Sequence, residues 1–417
     1  MKTKTLWLCI PIKSGLRTII GVIFLSYLCN HSLSQGTWTQ KTNFGGAARF
    51  HAVGFSIGTK GYIGTGHSGT SPNYTFYKDF WEWDQSTNAW TQKANFGGTP
   101  RYGAVGFSIG TNGYIGTGID SIGTINNDFW EYDPASNVWT QKTNFGGTAR
   151  FYAVSFSIGT KGYIGTGRLS SALNDFWEYD QPSDTWSQKT NLPTARFWAT
   201  GFSIGTKGYI GTGYSTSPAT FYNDFWEWNQ ATDTWAQKAN FTGTARMDAS
   251  GFSFSSLGKG YIGFGFDVNN NTQNDFYEYD QANDTWTTKA TLIFFANRGS
   301  VGFSIGNNGY IGTGQKSDLS YGKDFWEYST PTSVNESNSD YFVSVFPNPT
   351  NGQFVLQTST PVEKIFIYST NGEKIIQRVI PNGAKNITID LSNQSNGIYF
   401  LQLKSENGTI TRKIIKE

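Results

Sequence analysis

The chain has 417 residues, of which 15% are charged, 17% are aromatic and 49 are glycine. This aromatic content excludes a disordered chain, and the near balance of 32 basic and 30 acidic residues gives no basic face for nucleic acid. Glycine and aromatic residues in short runs favour an all-β protein with many turns.

The first 34 residues have the pattern of a secretory signal peptide. Four basic residues lead into an apolar run over residues 18–29, and the segment ends on small residues at Ser34. The run is too short for a comfortable membrane span, so we expect no span in the mature chain. A lipoprotein signal at Cys29 is the alternative. Because Cys9 and Cys29 both lie in the leader, we expect no disulfide in the mature protein.

Residues 35–329 contain six copies of a unit of about 50 residues. GYIGTG begins at residues 61, 113, 162, 208 and 309, with GYIGFG at 260. A Trp in W-x-x-K, an Arg and the pattern D-F-[WY]-E recur in every copy. The arginines are Arg49, Arg101, Arg150, Arg196, Arg246 and Arg298. A period near 50 predicts propeller blades rather than a helical solenoid.

Each unit is predicted to form four short strands, which in the first copy are residues 53–58, 61–66, 79–84 and 89–95. Small residues lie in the first two strands and tryptophans in the last two. This gradient fits a propeller, whose blades crowd near the axis and diverge outwards. The sixth unit lacks a fourth strand, and residues 37–43 have the sequence to supply it and close the ring.

These repeated residues resemble the kelch family. The shared features are the Arg before the first strand, a glycine pair ending the second, Y-D near the end of the third, and a Trp six or seven residues later. Here a Thr splits the glycine pair, as in GTG. The resemblance implies a six-bladed β-propeller closed by an N-terminal strand, and it leaves the activity open.

The composition changes after residue 329. Residues 330–340 are polar and predict a linker, and residues 341–417 alternate short strands with Asn-Gly turns, which predicts a small β-sandwich. The segment resembles the type A C-terminal sorting domain of the Bacteroidetes type IX secretion system, through Pro347-Asn348-Pro349, the turn at 396–400 and the terminal KIIK at 413–416. This implies an interaction with that secretion machinery and a secreted or outer-membrane-surface location. An ordinary adhesive β-module is the alternative.

Metal and cofactor chemistry finds little support. Beyond the leader the chain has only His51 and His67 and no cysteine, so the tyrosine–cysteine copper site of kelch-type oxidases is excluded. Residues 267–278 resemble a calcium loop but lack its glycine, and an Asn-rich turn is the better interpretation. We expect no metal and no cofactor.

Candidate binding residues come from comparing the copies with one another. The six arginines could bind a ligand, or each could pair with the Asp that opens the third strand. The position two residues after each Arg varies most: His51, Gly103, Tyr152, Trp198, Asp248 and Ser300. Meander geometry places these positions and the variable loops between the second and third strands at one end of the ring. His51, Tyr152, Trp198 and Asp248 are therefore candidates beside the arginines.

Three functions remain open. The first is a non-enzymatic module that binds a glycan or a protein on its loop face. The second is a metal-independent, carbohydrate-active enzyme, since some kelch propellers act on sialic acids without metal. The third is a purely structural surface or adhesin protein. A deep polar cleft around Trp198 would favour the first two, and a filled channel would favour the third.

Overall fold

The computed structural model describes residues 36–70, 73–292, 297–330, 343–358, 362–369, 373–380, 386–405 and 408–417. The predicted signal peptide lies outside these ranges, as do residues 331–340 of the predicted linker. The chain divides into two compact units, residues 1–331 and 332–417. Regular structure in the described residues is β apart from one 3₁₀ turn, Ser255–Leu257, which confirms the all-β prediction.

The first unit contains six antiparallel sheets of four strands each, which we call strands a to d in sequence order along each repeat. The a strands are Val53–Ile57, Val105–Ile109, Val154–Ile158, Thr200–Ile204, Ser250–Phe254 and Val301–Ile305. The b strands are Lys60–Gly64, Asn112–Gly116, Lys161–Gly165, Lys207–Gly211, Lys259–Gly263 and Asn308–Gly312. The c strands are Phe80–Asp84, Phe129–Asp133, Phe176–Asp180, Phe225–Asn229, Phe276–Asp280 and Phe325–Ser329. The d strands are Ala89–Lys93, Val138–Lys142, Thr185–Lys189, Thr234–Lys238, Thr285–Thr288 and Thr37–Gln40.

The six sheets form a closed ring. Each a strand contacts the a strands of the two neighbouring sheets, and the first sheet contacts the sixth. Thr37–Gln40 pairs antiparallel with Phe325–Ser329, so the beginning of the unit completes its last sheet, as the repeat pattern predicts. The d strand is shorter than the predicted 37–43.

Packing between sheets explains the gradient of side-chain size. Glycines on the b strands face aromatic rings of the adjacent sheet: a Cβ on Gly162 would lie 2.2 Å from Phe107. Larger rings fill the wider space outside, where Trp83 and Trp228 are fully buried. Every sheet therefore contributes to two apolar layers, and the repeated sequence is the consequence of this repeated contact.

Loops between strands b and c form small hairpins at one end of the ring. Short strand pairs there are His67–Ser68 with Thr75–Phe76, Arg101–Tyr102 with Ile119–Asp120, Tyr214–Thr216 with Ala219–Phe221, Arg246–Met247 with Phe266–Asp267, and Asn297–Arg298 with Gln315–Lys316. Three of these pairs join the segment before strand a to the loop after strand b. They therefore bring both variable segments to the same end of the ring.

The second unit has two antiparallel sheets. One has the order Val343–Phe346, Gln353–Thr358, Asn386–Asp390, and the other Lys374–Val379, Lys364–Ser369, Gly397–Ser405, Gly408–Lys416. Side chains from both sheets share one core that includes Leu356, Ile367 and Leu401. The Asn348 amide donates to Lys413 O at 2.8 Å and accepts from Ile415 N at 2.8 Å. It thus ties the Pro-Asn-Pro segment to the terminal strand.

Over the part of the chain that the structure describes, no helix has the length and apolar character needed to cross a membrane.

A candidate binding site at the mouth of the ring

Five of the six candidate arginines are buried in the framework. Arg150 is fully buried, and its Nη1 and Nη2 donate to Asp175 Oδ1 and Oδ2 at 2.7 and 2.6 Å. Its Nη1 also donates to Thr166 O, and its Nε donates to Thr148 O. The same pairing occurs for Arg49 with Asp79, Arg101 with Asp128, Arg196 with Asp224 and Arg246 with Asp275. These guanidiniums join the start of strand a to the start of strand c.

The sixth arginine, Arg298, does not follow this pattern. The framework position of the sixth repeat lies one residue earlier in the chain than the sequence alignment placed it. Asn297 takes the buried framework position, where its Nδ2 donates to Thr313 O at 2.5 Å, as Arg49 Nη1 does to Thr65 O at 2.9 Å. The expected partner, Asp324, instead pairs with Lys316 at 2.6 Å. Arg298 is therefore free of the framework, and of the two alternatives for this arginine, pairing with Asp324 is wrong.

The same shift changes the sixth variable position from Ser300 to Gly299. His51, Gly103, Tyr152, Trp198, Asp248 and Gly299 all have φ between 53° and 62°. Each backbone N–H donates to the carbonyl of the equivalent residue in the preceding sheet, at 2.8–3.2 Å, and His51 N closes the circle on Gly299 O. We call these six residues the mouth ring. Side chains are rarely tolerated in this left-handed conformation, so the cyclic hydrogen bonds help to hold it.

The mouth ring brings four of the candidate side chains together. His51 Nε2 lies 3.0 Å from Asp248 Oδ1, and both side chains are buried. The Tyr152 ring lies 4.7 Å from that of Trp198 and 4.6 Å from that of His51. His51 and Asp248 meet across Gly299, whose Cβ would lie 2.7 Å from His51 Cδ2. The absence of a side chain at this position therefore permits the contact.

Two adjoining cavities open at this end of the ring. The first, about 150 Å³, is lined by the mouth ring and by residues such as Ala52 and Ala104. The second, about 260 Å³, is lined by Phe50, His51, His67, Tyr74, Phe76, Tyr102, Tyr152, Trp198, Asp248 and Arg298. We call the second the aromatic pocket. None of the five framework arginines lines either cavity.

Polar groups with no protein partner face this region. The indole N–H of Trp198 is buried beside the Tyr152 side chain, with which it makes no hydrogen bond of standard geometry. The Arg298 guanidinium donates from Nε and Nη2 to Gln315 Oε1, at 3.0 and 2.6 Å, and stacks 4.9 Å from the Phe266 ring. Neither of these bonds uses Nη1. The pocket therefore combines ring faces with two donor groups, Trp198 Nε1 and Arg298 Nη1, which these bonds leave available to a ligand.

Burial controls protonation in the aromatic pocket. Desolvation, and then the charge of His51, lowers the pKa of His67 to about 3, so its imidazole is neutral at physiological pH. Burial also raises the pKa values of Tyr102 and Tyr152 above the usual range. His67 Nδ1 makes no hydrogen bond within the described chain. The pocket is thus predominantly uncharged, with Arg298 and the His51–Asp248 pair at its edges.

Candidate selection from the sequence missed part of the aromatic pocket. His67, Tyr74 and Phe76 belong to the first b–c loop, and Tyr102 follows a framework arginine. The length of that loop was the available signal, since it is longer than its five counterparts. The contact between Tyr102 and His67, with ring centroids 4.4 Å apart, joins neighbouring sheets and required the fold.

The calcium-like segment is an Asn-rich turn. Asp267 Oδ1 accepts from the backbone N–H groups of Asn269 and Asn271, both at 2.9 Å, and Oδ2 accepts from Gln273 Nε2 at 2.8 Å. Glu278 accepts from the Tyr261 hydroxyl at 2.7 Å. The described residues contain no group of three or more His, Cys, Asp or Glu placed to hold a metal ion.

Comparison with known proteins identifies the second unit. Residues 344–417 match the family described as "Secretion system C-terminal sorting domain". The tail is a sorting domain. That prediction is confirmed, and the domain implies interaction with the type IX secretion machinery and export to the cell surface or the medium. No curated protein matches the chain.

Solved structures resemble the first unit in fold. One, titled "Structure of YjhT", aligns with a TM-score of 0.57 at 15% identity and covers 68% of this chain and 95% of its own. This likeness supports a propeller fold. At such low identity it carries no information about ligand or activity.

Proposed function

We propose that the chain is an exported, non-enzymatic binding protein. In this proposal residues 35–329 form a six-bladed, kelch-type propeller, and residues 341–417 form a β-sandwich that directs export. The ligand, part of a glycan or of a protein, enters the mouth of the ring. The site comprises His51, Tyr152, Trp198, Asp248 and Arg298, with the aromatic pocket beside them.

One observation carries the proposal: the mouth ring departs from the repeat and places unlike side chains around an open pocket. Framework positions repeat almost unchanged, whereas the mouth ring holds an imidazole, a phenol, an indole and a carboxylate. Aromatic faces stack on the apolar faces of sugar rings, and Trp198 and Arg298 offer donors to hydroxyl or carbonyl oxygens. A pocket of about 260 Å³ suits a group the size of one sugar ring or one side chain. This open mouth also argues against a purely structural role.

Glycan-array binding tests the proposal. The chain from Gly36 onward would be compared with Trp198→Ala, Trp198→Phe and the surface control Val138→Ser. We expect binding to fall at least tenfold in Trp198→Ala, and less in Trp198→Phe, which keeps a ring and loses the N–H. Equal binding by all four proteins would overturn the assignment of the site. A folded protein that binds no glycan would restrict the proposal to protein ligands.

An enzymatic role is the second candidate, because His51 and Asp248 form a buried pair. A carboxylate 3.0 Å from Nε2 fixes one tautomer and leaves Nδ1 as a possible proton acceptor. In this version the site acts on a carbohydrate without metal, as a sialic-acid isomerase does. Turnover of a bound sugar, lost in both His51→Gln and Asp248→Asn, would establish it.

A further inference from the structure

Two arginines of the first unit have no carboxylate partner among the described residues. Residues 36–330 contain seven arginines, and five of them are the framework arginines, each of which holds an aspartate. The other two are Arg168 and Arg298. Arg298 bonds to the neutral amide of Gln315, and the buried Nε of Arg168 makes no hydrogen bond to a described residue. Because a guanidinium carries five N–H donors and no acceptor, both arginines have donors to spare for a ligand.

Of these two arginines, Arg298 lines the aromatic pocket and Arg168 does not. Arg168 lies on the third sheet, opposite the sixth in the ring, and its Cζ stacks 4.8 Å from the Phe197 ring. Its charge nevertheless reaches the pocket wall, because burial raises the pKa of Tyr102 and the charge of Arg168 opposes that rise. Arg168 therefore has the charge of Arg298 without its contact to the pocket.

The guanidinium of Arg298 is held in one orientation. Its Nε and Nη2 donate to Gln315 Oε1 at 3.0 and 2.6 Å, and Gln315 Nε2 in turn donates to Leu319 O at 3.3 Å. The Phe266 ring lies 4.9 Å from the Arg298 Cζ, and the Phe50 ring lies 5.6 Å from it. A guanidinium fixed by an amide and two rings loses little side-chain freedom when a ligand binds.

The edge of Arg298 that these contacts leave free is the edge with which the framework arginines hold carboxylates. Arg49 donates from Nη1 and Nη2 to the two oxygens of Asp79 at 2.6 and 2.7 Å, and it uses Nε for a backbone carbonyl. In Arg298 the corresponding donors are Nη1 and the second hydrogen of Nη2, and Gln315 uses neither of them. A carboxylate matches this edge, because its two oxygens accept both hydrogen bonds at once.

Net charge does not make this selection. On the hairpins around the mouth, Lys316 pairs with Asp324 at 2.6 Å, and the buried acids Asp120 and Asp267 offset further basic side chains. The hairpins are therefore close to neutral as a set, so their long-range attraction for an anion is small. Preference for a carboxylate depends on direct contact with Arg298.

We propose that the aromatic pocket binds a sugar acid, whose carboxylate pairs with the Nη1–Nη2 edge of Arg298 while its ring lies among the aromatic side chains. This inference rests on the proposed function and narrows its ligand to a carboxylate-bearing glycan. The pocket, about 260 Å³, holds one sugar ring. Asp248, the acidic residue of its lining, bonds to His51 at 3.0 Å and does not pair with Arg298. A glutamate of a protein partner would supply the carboxylate but too few carbon atoms to cover the rings.

Binding of matched glycan pairs tests the proposal with the chain from Gly36 to Glu417, which lacks the apolar leader. The probes are oligosaccharides that end in glucuronate, in galacturonate or in a sialic acid, each beside its carboxyl-reduced form, which keeps the ring and loses the charge. We expect at least one acid to bind about tenfold or more tightly than its reduced form. Arg298→Gln should abolish this preference, and Arg298→Lys should keep part of it, because lysine supplies a charge without the fork.

Arg168→Gln is the matched control, because it removes the other unpaired guanidinium of the mouth without changing the pocket lining. Affinity for the acid should change less than about threefold, since the charge of Arg168 is screened by solvent. Equal losses in Arg168→Gln and Arg298→Gln would overturn the proposal, because charge in general would then attract the ligand. Equal binding of acid and reduced forms, lost in Trp198→Ala, would also overturn it and would leave the mouth as a binding site. If no sugar acid binds, the proposal is overturned, and the proposed function then depends on neutral glycans or proteins.

Discussion

Replacing Asp175 with asparagine should destabilise the first unit far more than replacing Asp324. Asp175→Asn removes the carboxylate that holds the fully buried Arg150 through two bonds of 2.7 and 2.6 Å. Breaking a buried pair by removing one partner costs about 3 kcal/mol or more, because the remaining charge stays in the interior. For a unit of this size that corresponds to a fall in Tm of roughly 6 °C.

The sixth sheet supplies the matched control for this experiment. Asp324 pairs with Lys316, whose side chain is 35% exposed, so Asp324→Asn should cost less than about 1 kcal/mol. Trp326 Nε1 makes no hydrogen bond to a described residue, whereas Trp177 Nε1 donates to Asp175 Oδ2 at 2.8 Å. This difference further separates the two sites.

Thermal unfolding followed by tryptophan fluorescence is the appropriate assay. Beyond residue 330 the sequence contains no tryptophan, so the signal reports on the first unit alone. If Asp175→Asn and Asp324→Asn lower Tm equally, the argument from a buried, uncompensated guanidinium is wrong.

Three further predictions concern acid stability and the mouth ring. Burial raises the pKa values of Asp79 and Asp224, but the hydrogen bonds and charges of their arginines outweigh burial, so both pKa values are lowered. The stabilisation that these carboxylates provide should therefore be complete above about pH 4 and be lost as the pH falls further. Measuring Tm as a function of pH tests this. Gly299→Ala should lower Tm much more than Gly58→Ala does. Both glycines have φ near 57°, but only a Cβ on Gly299 would collide with a neighbour, at 2.3 Å. Similar decreases in Tm would show that backbone conformation alone matters. The pKa of His67 is lowered to about 3, so between about pH 6.5 and 3 only the unfolded chain protonates this imidazole. Stability should therefore decrease as the pH decreases through that window, and His67→Gln should make Tm depend less on pH. An NMR titration of the His67 imidazole with a midpoint near pH 6.5 would contradict the reasoning.

Repetition made most of the fold predictable from the sequence. Six near-identical units must make the same contacts with their neighbours, so the strand order, the size gradient and an N-terminal closing strand, predicted at residues 37–43 and observed at residues 37–40, followed from the spacing of the repeated Trp, Arg and Asp residues. The framework pairing of Arg49 with Asp79 was likewise foreseen as one of two alternatives, because both residues recur at one end of the meander. The sorting domain was predictable from its motifs.

Exceptions to the repeat were not predictable in the same way. An arginine is present in the sixth unit, so the sequence alone placed Arg298 in the framework and Ser300 beside the mouth. The spacing carries a signal for the difference, since Arg49 precedes Val53 by four residues whereas Arg298 precedes Val301 by three. The hydrogen bond from Asn297 to Thr313 and the cyclic backbone bonds place the register one residue earlier, at Gly299. Using the arginine alone as the marker hides this shift, which decides which residue lies in the mouth ring.

The sequence by itself therefore determined the repeated β architecture, because the same short motifs recur in six copies. It also determined the route of export, because the sorting domain has specific motifs of its own. Tertiary structure decided the site. His51 and Asp248 are 197 residues apart, and only closure of the ring brings their side chains within hydrogen-bonding distance.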